Sequence, residues 1–77
     1  MVTRLLDNKM IGKNLKDLRA TKQKTVSDVS NETGLKESAL RNYECGIRIP
    51  NYKAMFTLAD YYGTTVDYIF FTSKCHR

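Results

Sequence analysis

A chain of 77 residues has room for one domain with one modest core, and its 42% hydrophobic and 27% charged residues argue against intrinsic disorder. No apolar run approaches the roughly 20 residues that span a bilayer, and the first residues lack the apolar stretch of a secretory signal, so we expect a cytoplasmic protein that does not enter a membrane. The net charge of +5 favours an acidic partner.

The first predicted helix is amphipathic. It runs from a cap at Asp7 or Asn8 to about Lys22. Its inward face carries three apolar residues at helical spacing, Ile11, Leu15 and Leu18. Its opposite face carries Lys9, Lys13 and Lys16. A lysine stripe of this kind can bind nucleic acid, but it is more often the solvated back of a helix, and we assign it to solvent.

Two short helices follow, separated by a glycine-containing turn. Thr25 begins the second helix because its hydroxyl can accept from the backbone amide of Asp28, and Asp28 can return that bond or oppose the helix dipole. Gly34 ends the helix. The third helix spans roughly residues 37–44, and its predicted inward face consists of Ala39, Leu40 and Tyr43.

Residues that end or begin helices set the predicted bounds of the fourth helix. Gly46 ends the third helix, and Pro50 disfavours helical geometry at Ile49. Asn51 then caps the fourth helix, which Gly63 closes. The segment between these two glycines is therefore predicted to be a loop followed by a helix.

Thr65 is predicted to cap a last short helix over residues 66–71, and residues 72–77 to form a flexible tail. All connections are short, so we expect an all-α, compact five-helix bundle. It forms one domain over residues 1–71, with its core in 9–71. The aromatic and aliphatic residues expected in that core are Tyr43, Phe56, Tyr62, Ile69 and Phe70.

The composition does not favour a metal or cofactor site. Cys45 and Cys75, even with the only histidine, His76, fall short of the four ligands of a structural zinc site. Free thiols are the expected state. No nucleophile–base set and no phosphate-binding glycine loop is present, so we expect no enzyme, no cofactor and no small-molecule ligand.

The second and third helices have the dimensions of a helix-turn-helix unit, with residues 26–33, the turn 34–36 and residues 37–43. Helices this short are unstable alone, so the other three helices must bury their inner faces. The outer face of the third helix is left free to project. We therefore predict that residues 36–43 read duplex DNA.

The sequence resembles the Cro/repressor-type (XRE) helix-turn-helix family over about residues 11–70. The most specific piece is a Tyr-Glu-x-Gly-x-x-x-Pro stretch placed after a Gly-Leu turn. The resemblance implies a lambda-repressor-like DNA-binding domain that docks through a recognition helix. The matching motifs in chain order are Ile11-Gly12-x-x-Leu15-x-x-Leu18-Arg19, Gly34-Leu35, Ala39-Leu40, Tyr43-Glu44-x-Gly46-x-x-x-Pro50, Leu58-Ala59 and Gly63-x-x-x-Asp67-x-Ile69.

The resemblance also implies an internal ion pair. Arg19 and Glu44 stand where such proteins join the first helix to the end of the third. The alternative is two independent surface charges, which would contribute little. We favour the pair because both residues match the family at once.

Base reading is implied for the start and outer side of the third helix. Lys36 can donate to guanine, Asn42 can pair with adenine, and Glu37 can accept from cytosine N4. Arg41 can reach a base edge or a phosphate, although Glu37 and Arg41 can equally be solvated helix charges. The implied base-reading set is Lys36, Glu37, Ser38, Arg41 and Asn42.

Phosphate contacts are implied on both sides of the third helix. They come from the amino end of the second helix, where free amides and the dipole favour an anion. A second group lies beyond the third helix. The implied phosphate-binding residues are Thr25, Ser27, Arg48, Asn51, Tyr52 and Lys53.

Three positions depart from the family pattern. Val26 replaces a glutamine that contacts the DNA backbone. Ser30 replaces an alanine packed between the two helices, so its hydroxyl needs a partner, which we expect to be a carbonyl one turn back. Lys36 replaces the serine or threonine that caps the third helix.

The predicted function is that of a sequence-specific transcriptional regulator, more specifically a repressor that acts as a homodimer. Three aromatics fall outside the core faces of their helices and suggest a dimer interface: Tyr61, Tyr68 and Phe71. Family members often dimerise through the fifth helix. The alternative is an antitoxin-like or protein-interaction module in which DNA binding is secondary. A large exposed apolar patch around those aromatic residues would favour that alternative.

Overall fold

A computed structural model describes the backbone of residues 8–71 and all their side chains except those of Phe70 and Phe71. This part of the chain contains helices and no strand, which confirms the predicted all-α fold. Asp7, the tail over 72–77 and Cys75 and His76 within it lie outside the described residues. The five helices are α1 (Asn8–Lys22), α2 (Val26–Thr33), α3 (Glu37–Cys45), α4 (Tyr52–Tyr62) and α5 (Asp67–Phe71).

The core lies between α1 and the other helices. α1 packs against α3, α4 and α5, while α2 packs against α3 and α4. The apolar stripe predicted on α1 faces this core, with Leu18 partly buried and the other two members fully buried. The three lysines on its opposite face are exposed, as predicted. The most deeply buried side chains are Ile11, Leu15, Val29, Leu58 and Ile69.

The predicted core needs one correction. Phe56 is 60% exposed, because it lies on the outer side of α4 while Met55, Leu58 and Ala59 occupy the inner side. Helical spacing predicted that Phe56 would be buried with the apolar residues around it. The inner side of α4 is instead occupied by smaller side chains. Of the other predicted core aromatics, Tyr43 is buried, Tyr62 is partly buried against the core, and the side chain of Phe70 lies outside the described residues.

The last helix differs from the predicted α-helix over residues 66–71. It is a single turn of π-helix, α5, whose start is capped as expected: the Thr65 hydroxyl accepts from the Tyr68 amide at 3.0 Å. The buried side chain of Asn14 donates to the Ile69 carbonyl at 3.0 Å. This bond fastens the wide turn to α1. No helix in residues 8–71 is long and apolar enough to cross a membrane.

Candidate nucleic-acid interface

The turn between α2 and α3 has the geometry that the sequence predicted. Gly34 ends α2 in the left-handed conformation (φ 84°), and its amide donates to the Ser30 carbonyl at 2.9 Å. The Ser30 hydroxyl donates to the Leu35 carbonyl at 2.6 Å, so its partner lies across the turn and not one turn back as expected. Leu35 packs against the core. The Ser30 hydroxyl therefore stabilises the turn between α2 and α3.

The start of α2 is a complete capping box. The Thr25 hydroxyl accepts from the Asp28 amide at 3.0 Å, and the Asp28 carboxylate accepts from the Thr25 amide at 3.1 Å. Hydrogen bonds from the Thr25 amide and the Thr25 hydroxyl to this carboxylate hold the pKa of Asp28 below its ordinary value. Thr25 and Ser27 are both exposed at this end of the helix. The Asp28 carboxylate, however, weakens the attraction of this helix end for an anion.

The start of α3 has no side-chain cap. Lys36 adopts the extended backbone of a capping residue, but its side chain makes no capping hydrogen bond. Since the first amides of a helix have no partner within the helix, the amino end of α3 presents backbone donors together with the exposed Lys36 ammonium. The exposed carboxylate of Glu37, in the first turn of α3, lies beside these donors.

The outer face of α3 carries the predicted base-reading residues. Glu37, Ser38 and Arg41 are exposed, and Asn42 is partly buried. Glu37 and Arg41, one turn apart, lie 3.4 Å from each other between Oε1 and Nη2. The carboxylate is thereby partly neutralised, which lessens its repulsion for a phosphate backbone. Leu40 and Tyr43 of the same helix are buried, so α3 has a buried side and an exposed side.

Beyond α3 the chain turns sharply towards α4. Gly46 is left-handed (φ 80°), and the amides of Ile47 and Arg48 both donate to the Asn42 carbonyl, at 2.9 and 3.3 Å. Pro50 is buried, whereas Arg48 is exposed. The turn therefore holds the backbone of Arg48 against the end of α3 and leaves its side chain exposed.

The start of α4 contains the remaining predicted phosphate contacts. The Asn51 side chain caps the helix by accepting from the Ala54 amide at 2.9 Å, so only its amide group is left to donate. Tyr52 is 77% exposed, and Lys53 is exposed beside it. The structure therefore leaves Tyr52 and Lys53 open to solvent, with Asn51 engaged mainly in the helix cap.

The carboxyl end of α3 is held by the ion pair that the sequence predicted. Arg19 donates from Nε to Glu44 Oε2 at 2.8 Å and from Nη2 to Oε1 at 2.9 Å. The Glu44 side chain is only 8% exposed. The bond to this carboxylate raises the pKa of Arg19 above its ordinary value. Arg19 also donates to the Lys24 carbonyl at 3.0 Å, so one guanidinium joins α3 to the residue before the α2 cap.

Sequence reasoning missed how closely α1 approaches α3. A Cβ on Gly12 would lie 2.5 Å from the Glu44 carbonyl oxygen and 2.8 Å from that of Tyr43. The Asn8 side chain, which lies within α1, donates to the Gly46 carbonyl at 3.2 Å. A glycine inside an otherwise helical pattern is costly, and that cost was the available signal of a close backbone contact.

The three aromatic residues predicted to form a dimer interface differ in their exposure and contacts. Tyr61 is partly buried, and its hydroxyl donates to Glu32 at 2.6 Å, while the Lys22 ammonium lies 5.1 Å from its ring centre. Burial and this bond raise the pKa of Tyr61 to about 12. Tyr68 is 47% exposed, and the side chain of Phe71 lies outside the described residues. Tyr61 is thus an intramolecular contact between α4 and α2, a role that the sequence did not predict.

The described residues contain no cluster of three or more metal-ligating side chains. Cys45, at the end of α3, is an exposed free thiol. The chemistry assembled around α3 consists of hydrogen-bond donors, acceptors and charges.

A model of the helix-turn-helix family (HTH_3) matches residues 15–69 of the chain. A curated relative, the uncharacterized HTH-type transcriptional regulator YqaE of Bacillus subtilis (strain 168), is 30% identical over 60 residues, which are 78% of this chain and 52% of that protein. The chain therefore spans about half the length of the curated relative that it matches.

Several solved structures are similar in fold, including those of a controller protein and a repressor. The restriction-modification controller protein C.AhdI from Aeromonas hydrophila has a TM-score of 0.77 at 23% identity, over 83% of this chain and 97% of that chain. The SOS-response transcriptional repressor LexA from Eubacterium rectale has a TM-score of 0.84 at 21% identity, over 92% of this chain and 74% of that chain. At these identities the likeness is one of fold.

Proposed function

Since the chain belongs to the XRE-type helix-turn-helix family, we propose that it is a transcriptional regulator that binds duplex DNA by inserting α3 into the major groove. One observation carries this proposal. α1 fixes the inner side of α3 through the Arg19–Glu44 ion pair, while the outer side chains of α3 are exposed. A rigid helix with a free polar face is what groove reading requires.

Base reading is assigned to the outer face of α3. Lys36 donates to guanine O6 or N7, Asn42 makes paired bonds to adenine, and Glu37 accepts from cytosine N4. Ser38 is short and approaches either kind of base edge. Arg41 lies within reach of Glu37, so its guanidinium is oriented along the same face.

Phosphate contacts are assigned to the two segments that flank α3. Ser27 and the Thr25 hydroxyl bind at the start of α2, and Arg48, Tyr52 and Lys53 bind beyond α3, with the Asn51 amide as a further donor. These contacts fix the register of the protein on DNA without reading sequence. They also make the affinity fall as salt rises.

The chain acts as a repressor and binds as a homodimer in this proposal, with no catalytic activity. A small domain that fills the major groove of a promoter excludes other proteins from that site. Two copies on half-sites about one turn of DNA apart, roughly 34–36 Å, would double the sequence that is read. Tyr68 of the predicted dimer interface is exposed and available to a second copy.

The decisive experiment is selection of bound sites from a random duplex pool, followed by titration of the selected site and a scrambled site across a salt series. A specific regulator shows a steep fall of log affinity with log salt and keeps a preference of about 10³-fold or more for its site. Equal and weak binding to both duplexes refutes the proposal. A monomer in sedimentation, both free and on the selected site, refutes its dimeric part.

A further inference from the structure

Phe56 stands out from the outer face of α4. Its side chain is 60% exposed, whereas that of the adjacent Met55 is 7% exposed. Phe56 separates two shallow clefts, and Asp60, one turn farther along α4, lines both of them. Phe56 and Asp60 together form what we call the α4 ridge, with a cleft on each side.

The setting of the α4 ridge is acidic. Glu32 on α2 lines the first cleft and Asp67 lines the second, where Ala59 and Val66 add an apolar wall. Neither cleft has a lysine or arginine among the described residues that line it, although the chain contains 13 of them. Two lysines border the first cleft: Lys24 pairs with Glu32 at 3.1 Å, and the Lys22 ammonium lies 5.1 Å from the ring centre of Tyr61. The ridge is therefore an aromatic side chain flanked by carboxylates, of which Glu32 is already paired with a lysine.

We propose that the α4 ridge is a docking surface for a cationic amphipathic helix of another protein. The exposed ring of Phe56 supplies an apolar anchor of the kind that dominates such interfaces, and the clefts on each side accept the apolar side chains of a helix. The surrounding carboxylates favour lysine or arginine beside those apolar side chains.

The carboxylates around the α4 ridge also favour this partner over a second copy of the chain. In a two-fold symmetric contact centred on this patch, the same carboxylates of both copies are brought into one interface. Like charges brought together in this way oppose association. A cationic partner instead brings opposite charges to these carboxylates, which favours association.

The test uses a fluorescein-labelled amphipathic peptide of leucine and lysine, about 14 residues long, enough for a helix of about four turns. A leucine–glutamate peptide of the same pattern is the control. Generic attraction to a chain of net charge +5 favours the glutamate peptide and repels the lysine peptide. Binding of the lysine peptide at physiological salt therefore reports on a local acidic surface.

We expect the lysine peptide to bind and to shift the backbone amide resonances of residues 56–61. Phe56→Ser and Asp60→Asn should each weaken its binding by about fivefold or more, as loss of an anchor or a charged contact does. Arg48→Ala, which removes a cation from the proposed DNA-binding surface, should leave it unchanged. Because Phe56 and Asp60 are exposed, both variants should keep the far-ultraviolet circular dichroism of the original chain.

Three results would overturn the proposal. The lysine peptide does not bind, or it shifts resonances elsewhere, or its affinity is the same for folded Phe56→Ser as for the original chain. A fourth would reassign the surface: if Phe56→Ser converts a dimer into a monomer in sedimentation, the ridge is a contact between copies and the cationic partner is excluded.

Discussion

Arg19 on α1 and Glu44 on α3 are joined by two parallel hydrogen bonds, Nε to Oε2 at 2.8 Å and Nη2 to Oε1 at 2.9 Å. The planar guanidinium matches the carboxylate at both oxygens, a geometry that lysine cannot reproduce. The third contact of Arg19, to the Lys24 carbonyl, reaches the segment that precedes α2. The Arg19 side chain thus connects α3 both to α1 and to the segment that precedes α2.

Arg19→Met should lower the free energy of unfolding by about 3 kcal/mol, because it leaves the nearly buried Glu44 carboxylate without a counter-charge. Arg19→Lys should cost less, since the charge remains. Urea denaturation at neutral pH measures both. Lys13→Met is the matched control: it breaks the exposed Lys13–Asp17 pair and should change stability by less than about 0.5 kcal/mol. Equal effects of the two methionine variants would contradict the assigned role of the pair.

Gly12→Ala should destabilise the chain by about 1–3 kcal/mol, as overpacking does, and should weaken DNA binding further. The new Cβ would meet the carbonyl oxygens of Glu44 and Tyr43, which are backbone atoms and cannot rotate away, so α3 has to shift. The measurements are thermal unfolding and duplex affinity corrected for the folded fraction.

Gly63→Ala is the control for this substitution. Gly63 has φ 69°, and a Cβ added there would have no neighbouring atom within 4 Å, so the change introduces backbone strain without a contact to α3. It should lower stability by about 1–2 kcal/mol and leave the corrected affinity intact. Unchanged affinity in Gly12→Ala would show that the close approach does not position α3.

The helices, their caps and the ion pair could be predicted from the sequence because each rests on a local signal or on a motif. Thr25, Asn51 and Thr65 all cap the helices they were expected to cap, since N-capping depends on a few adjacent residues. The ion pair followed from the joint match of Arg19 and Glu44 to the family.

Features that depend on the packing of distant segments could not be predicted. The partner of Ser30 is decided by the path of the turn, and the exposure of Phe56 by how much of α4 its smaller neighbours fill. The bond from Tyr61 to Glu32 joins residues 29 positions apart, and no local pattern encodes it. The bond from Asn14 to the π-type turn of α5 likewise joins residues 55 positions apart.

Acid should destabilise the chain through Asp28 and Glu32. The Thr25 bonds lower the pKa of Asp28, and bonds from Tyr61 and Lys24 lower that of Glu32. A carboxyl whose pKa is lower in the folded chain stabilises it above the ordinary pKa of 3.8 or 4.5, and this contribution is lost as pH falls through the lowered value. Melting temperature measured between about pH 6 and pH 2.5 should therefore fall.

Asp28→Asn and Glu32→Gln should each flatten that fall in melting temperature, because the substituted group no longer titrates. Asp60→Asn serves as the control, since it removes an exposed carboxylate of α4 that takes no part in these bonds. A pH profile that is as steep in Asp28→Asn as in the original chain would rule out the capping box as its source.

Asn42→Ala and Arg48→Ala should separate base reading from phosphate binding. Loss of the Asn42 amide should relax specificity at one base pair by about 1–3 kcal/mol, while loss of Arg48 should weaken binding to all duplexes alike and lower the salt slope by about 1. Affinities for the selected site and its single-base variants, at two salt concentrations, distinguish the two. The reverse pattern would exchange the roles assigned to the residues.

Glu37→Gln should raise the affinity for every duplex and reduce the preference for cytosine at one position by about 1–3 kcal/mol. The carboxylate repels phosphates, and its exposed pairing with Arg41 at 3.4 Å only partly offsets that repulsion. Asp17→Asn removes an exposed carboxylate of α1, away from the outer face of α3, and so measures the general effect of one less negative charge. If both variants raise affinity equally and neither alters base preference, Glu37 is a solvated helix charge. A loss of cytosine preference confined to Glu37→Gln instead identifies its carboxylate as a base-reading group, since the two substitutions change net charge by the same amount.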